Sequence, residues 1–209
     1  MTHSLHRQGT RENLNCDYPL VAVAAHGINK KGAGPKLGKF LEICWRHGPV
    51  NLGDMKQGSV FTYDAEQIYK NVSDTTIVEC VFDDLNKVEA VLRELKEEDI
   101  GMSVVVSGLT NKVDECCKKV GLKIHTVAQS LGVWGDTSLL PRKEVLEITT
   151  MCGHAMVATA LVEKMIEDIK KGKTTPQKAA EKLAKPCECG IFNPTRAVEL
   201  LAAAAAKES

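Results

Sequence analysis

Aromatic residues are scarce in this chain, 4% of 209 residues, so stacking platforms for nucleic-acid bases are few. An excess of positive charge is also lacking. Lys plus Arg and Asp plus Glu each number 27, so the formal net charge is zero and no overall basic field exists to hold a polyanion. Together these absences exclude nucleic acid as the default partner. No apolar run reaches the roughly 18 residues of a membrane span. The opening MTHSLHRQGTRENLNCDYP lacks the apolar core of a secretory signal, so the expectation is a cytoplasmic protein with no membrane partner. Missing too are the G-x-x-x-x-G-K-[ST] phosphate loop, the G-x-G-x-x-G fingerprint and paired C-x-x-C knuckles, so no motif indicates a nucleotide or a zinc ribbon.

What is present is a globular composition, 44% hydrophobic and 26% charged, in a chain long enough to bury a core. Tyr18 to Ala25 (YPLVAVAA) reads as a buried strand. After the Gly- and Lys-rich turn INKKGAGP, Leu37, Phe40, Leu41 and Cys44 recur at helical spacing up to Gly48-Pro49. The strand TTIVECVF from Thr75 leads into a helix over Asp84 to Glu98, with Val88, Val91, Leu92 and Leu95 on one face. A strand MSVVVS, a helix near Asn111 to Val120 and a strand KIHTVAQ follow. Beyond Pro141 only helical stretches remain, over Arg142–Thr149, Cys152–Lys171, Pro176–Ala184 and Pro194–Ala206. A Thr174/Gln177 capping box and an Asn193-Pro194 start mark two of their beginnings. The alternation predicts an α/β fold, a mainly parallel sheet with flanking helices, followed by an all-helical C-terminal third. It divides the chain into a polar arm (1–17), an α/β domain (18–140) and a helical metal-binding subdomain (141–209).

Eight cysteines are many for a reducing compartment, where thiols act as core fillers, metal ligands or reactive groups. Cys44, Cys80, Cys116 and Cys117 fall on apolar faces and read as core. Cys16 lies in the polar arm. Cys152 in TTMCGHAMV and Cys187 and Cys189 in KPCECGIFNP have no periodic apolar setting. Cys152 and His154 are expected to open a helix, whose N-terminus favours a thiolate. The CECG stretch is a tight turn between helices, and an antiparallel helix pair would bring the three thiols together. Three thiolates suit a 4Fe-4S cluster with one iron left open to act as a Lewis acid. The alternative is zinc in a binding protein or redox sensor.

The expected function is therefore an iron-sulfur enzyme of lyase, hydratase or desulfurase type acting on a small anionic substrate. His154 would carry the proton, with Asn29 and Ser107, at polar strand ends, as further catalytic candidates. Lys30 and Lys36 in the glycine-rich loop, Arg196 and Ser130 are expected to hold the anion. Cys16 and the arm histidines His3 and His6 are candidate additions to the site. Zero net charge permits a homo-oligomer.

Overall fold

The computed structural model describes residues 6–207. A short helix α1 (Arg11–Leu14) lies in the arm. Then come β1 (Tyr18–Val23), α2 (Ala33–Arg46), β2 (Asn51–Asp54), β3 (Gly58–Ser59), α3 (Ala65–Lys70), β4 (Ile77–Phe82), α4 (Leu85–Glu98), β5 (Ser103–Val106) and α5 (Thr110–Lys119). The C-terminal third holds α6 (Lys143–Thr149), α7 (Thr159–Lys170), α8 (Pro176–Ala184) and α9 (Pro194–Ala206). No helix of the described residues is long and apolar enough to cross a membrane.

The strands form one five-stranded sheet in the order β3-β2-β4-β1-β5, and each pairing is antiparallel. This corrects the expectation of a mainly parallel sheet. The helical crossovers do join strands of like direction, β1 to β2 through α2 and β4 to β5 through α4. In each case an antiparallel strand sits between the two joined strands, β4 in the first and β1 in the second. These are two interlocked split β-α-β units. Strand-helix alternation along the chain is the same whether the two strands touch or are split, so periodicity could not distinguish the cases. The segment KIHTVAQ is also no strand; residues 123–130 run without regular structure and are largely exposed, beyond the edge strand β5.

Local chemistry explains most element boundaries. Asp84 caps α4, accepting from the Asn86 N–H at 2.8 Å, and Val88, Val91, Leu92 and Leu95 form its buried stripe. Thr175 caps α8, one residue after the expected Thr174, and Asn193 caps α9 ahead of Pro194. The sheet has two buried faces because strand side chains alternate. Leu20, Ala22, Leu52, Val78, Cys80 and Phe82 face a core shared with α2, α4 and α5. Val21, Ile77 and Val105 face a second core made with α6 to α9. The C-terminal helices thus form a third layer on the sheet face that the split units leave uncovered.

Candidate metal centre

The CECG turn rests directly on β2. Its 187–190 backbone closes with Gly190 N–H donating to the Cys187 carbonyl at 3.2 Å, and Gly190 has φ +76°, a conformation that favours glycine. A Cβ on Gly190 would lie 2.2 Å from the Leu52 carbonyl carbon, and one on Gly53 would lie 2.7 Å from the Glu188 oxygen. Facing glycines therefore let turn and strand touch backbone to backbone. This contact carries Cys187 and Cys189 to the middle of the sheet, where Gly53 pairs with Glu79 and Glu79 with Val21.

Cys152 arrives from the other side. Helix α7 begins at Thr159, so the expected helix start at Cys152 is not there; residues 150–157 instead make successive turns, with Ala155 at φ +56°. Those turns aim the backbone N–H groups of Met156 and His154 at the Cys152 sulfur. The sulfurs of Cys187 and Cys189 accept likewise from the N–H groups of Phe192 and Ile191. Such donors stabilise a thiolate over a thiol.

The three sulfurs are all buried and form a contact chain. Cys152 hydrogen-bonds Cys187, the Cys187 and Cys189 sulfurs are 3.8 Å apart, and Cys189 lies 3.6 Å from His154 Nδ1. Glu79, fully buried on β4, hydrogen-bonds Cys189 from the sheet side. The hydrogen bond with Cys187 and then burial push the Cys152 thiol well above its ordinary range. For Cys187 the bond from Cys152 lowers the value, but its bond to Cys189 and its burial prevail and leave it at about 12. Cys189 is lowered by Cys187 and raised more by burial and the neighbouring Glu79, with a net upward shift. These upward shifts favour the neutral thiols, and a divalent ion would supply the charge that displaces their protons. Among the described residues no three or more His, Cys, Asp or Glu side chains already converge on one metal-sized point. The donors touch pairwise instead, within reach of one another.

The remaining expected site residues scatter. Asn29 braces a turn, accepting from Ala25 N–H at 2.7 Å and donating to the Gly101 carbonyl at 2.9 Å. The glycine-rich loop that carries Lys30 and leads to Lys36 already holds an anion of its own: Asp74 accepts from the Gly32 and Gly34 N–H groups at 2.8 and 2.7 Å. Arg196 is fully buried and ion-paired with Asp17 at 2.8 Å, fastening the arm rather than facing the thiols. Cys16 donates to the Asn13 carbonyl at 3.3 Å within that arm, beside Asp17 and Arg196. His6 is exposed, and His3 lies outside the described residues. Ser107 and Ser130 do come together, lining one cavity of about 270 Å³ beyond the end of the edge strand β5.

Glu79 escaped the sequence reading, although a signal existed. In IVECVF a lone carboxylate alternates with Ile77 and Val81, and a charge on an apolar strand face that becomes buried demands a partner. No family model matches this chain, and neither the curated proteins nor the solved structures contain a match to it.

Proposed function

We propose that this protein is a metal-dependent enzyme whose ion is held by Cys152, Cys187 and Cys189, with its fourth position turned toward His154 and Glu79. The observation that carries the reading is the contact chain of three buried sulfurs, each receiving backbone N–H donors. Two thiolates on one tetrahedral ion, at about 2.3 Å each, stand about 3.8 Å apart. The Cys187–Cys189 separation of 3.8 Å fits that edge. Thiolates bound to different irons of a cluster are spread farther by the iron–iron distance, so this spacing supports a single thiophilic ion above the four-iron cluster.

Three protein ligands and one open position are the arrangement of a catalytic ion, which polarises a substrate oxygen or sulfur and lowers the pKa of bound water. His154, exposed next to Cys189, is placed to pass a proton between that position and solvent. This suits a hydratase or lyase type of step on a small substrate.

Metal and inorganic sulfide analysis of protein purified without oxygen or chelator tests the proposal. The expected result is one ion per chain without sulfide, lost in Cys187→Ser. A metal-free protein, or full retention in Cys187→Ser, overturns the site, and iron with equal sulfide overturns the single ion in favour of a cluster. Cobalt-substituted protein then separates enzyme from structural site. A visible spectrum shifted by added azide marks an open position, and an unresponsive one rejects the catalytic reading.

A further inference from the structure

The two loops that carry the three thiols are joined a second time, away from the sulfurs, by the N-terminal arm. Gln8 N–H donates to Thr150 Oγ1 at 2.9 Å, two residues before Cys152. Its chain neighbour Arg7 donates through Nη2 to the Ile191 carbonyl at 2.6 Å, two residues after Cys189. Thr150 ends α6, and Ile191 lies between the CECG turn and α9. Two successive arm residues thus hold two segments that are far apart in the chain and that meet only at the thiol centre.

The arm is itself held from beneath. Arg7 Nη1 binds Asp17 Oδ2 at 2.9 Å, and the fully buried Arg196 binds the same oxygen at 2.8 Å and the Gln8 carbonyl at 2.5 Å. Gly9 lets the chain lie against that guanidinium, since a Cβ there would stand 2.5 Å from Arg196 Nη2. The Arg7 side chain is 5% exposed, so water competes little for its bond to Ile191. Thr150 has the matching acceptor. Its hydroxyl hydrogen goes to the Leu146 carbonyl at 2.6 Å, which leaves the oxygen free to accept from Gln8.

We infer that residues 7–9 are a strap that sets the spacing between the Cys152 loop and the CECG turn, with Arg7 and Thr150 as positioning residues of the thiol centre. The strap reaches both attachments at the separation at which the Cys152 and Cys187 sulfurs touch. An ion held by all three thiolates bridges the same two loops. Strap and ion therefore stabilise one arrangement, and the closing of either favours the other. The coupling to an ion rests on the metal reading proposed above, whereas the strap itself does not.

Alkylation of the metal-free full chain with iodoacetamide, mapped cysteine by cysteine, tests the strap. Thr150→Val keeps the side-chain shape and removes the acceptor, while the Leu146 carbonyl keeps its bond from the Thr150 backbone N–H at 3.0 Å. Thr150→Ser retains the hydroxyl. The expected result is alkylation of Cys152 about fivefold faster in Thr150→Val, the weight of one hydrogen bond, and a parent-like rate in Thr150→Ser. Cys44 and Cys80, fully buried in the other core, report general loosening of the fold and should keep their rates. Titration with cobalt(II), followed through its thiolate charge-transfer absorption, then tests the coupling. Affinity should fall by a similar factor in Thr150→Val and recover in Thr150→Ser. An unchanged Cys152 rate, or equal acceleration at Cys44 and Cys80, overturns the strap whether or not cobalt binds. Selective acceleration with undiminished cobalt affinity overturns the coupling. Selective acceleration in a parent and variant that take up no cobalt upholds the strap and overturns the metal reading.

Discussion

Asp17 and Arg196 stand 179 residues apart in the chain and meet at 2.8 Å with both side chains fully buried. Their ion pair ties the arm to the first turn of α9. Arg7 joins the same carboxylate oxygen, and Asn193, the α9 cap, donates to the other at 3.1 Å. One aspartate thus organises the arm, the start of α9 and the residue that follows the CECG turn, since Arg7 also holds the Ile191 carbonyl at 2.6 Å.

Charge counting ranks the substitutions in this cluster. Arg7→Met or Arg196→Met leaves one guanidinium with one carboxylate, whereas Asp17→Asn leaves two buried cations uncompensated. Asp17→Asn is expected to cost at least about 3 kcal/mol in urea unfolding, more than either arginine substitution. Equal losses from all three would refute the shared-carboxylate account.

Asp74 predicts a pH dependence. The N–H groups of Gly34 and Gly32 hold its carboxyl below the ordinary carboxylate range. A group depressed in the folded state stabilises the fold above its unfolded pKa, and the contribution fades as pH falls through the folded value. Asp74→Asn should therefore lower the melting temperature at pH 6 and have progressively less effect from roughly pH 5 downward. A deficit that is constant from pH 6 to pH 2.5 would show that the carboxylate charge is not what closes α2.

Gly190→Ala combines a left-handed φ with a collision against Leu52. The expected loss is at least about 2 kcal/mol. Because the turn carries Cys187 and Cys189, bound metal should fall with it. Gly172→Ala, equally left-handed but in open space, is the control for conformation alone. Similar losses at both positions would mean that the close approach to β2 contributes little.

Glu79→Gln keeps the side-chain shape and replaces the carboxyl next to Cys189 with an amide. Metal affinity, read by competition with a chromophoric chelator, should fall about 10- to 100-fold. The metal-free protein should be no less stable, since a fully buried carboxyl has been replaced by an amide. Unchanged affinity would place Glu79 outside the metal's environment.

Helices were legible in the sequence wherever an apolar stripe met a capping residue. Asp84 with Val88, Val91, Leu92 and Leu95, and Asn193 with Pro194, locate α4 and α9 to within a residue. The short strands β2 and β3 and helix α3 were not read, because NLGD and GS are too brief for a period to show. At the site, the absence of an apolar period around Cys152, Cys187 and Cys189 singled out three thiols that the structure brings into contact. The anion-binding candidates fared differently. Lys30 and Lys36 belong to a helix start whose amides serve Asp74, and Arg196 serves Asp17.

Composition, caps and side-chain periods are local properties, and they determined where the longer helices and the strands β1, β4 and β5 lie. Strand order, the partners of buried charges and the approach of Glu79 to Cys189 were decided only by the tertiary structure. Each depends on which surfaces meet once the chain is folded: a split crossover and an adjacent one have the same sequence rhythm. A buried arginine likewise gives no sign, along the chain, of the carboxylate that awaits it 179 residues away.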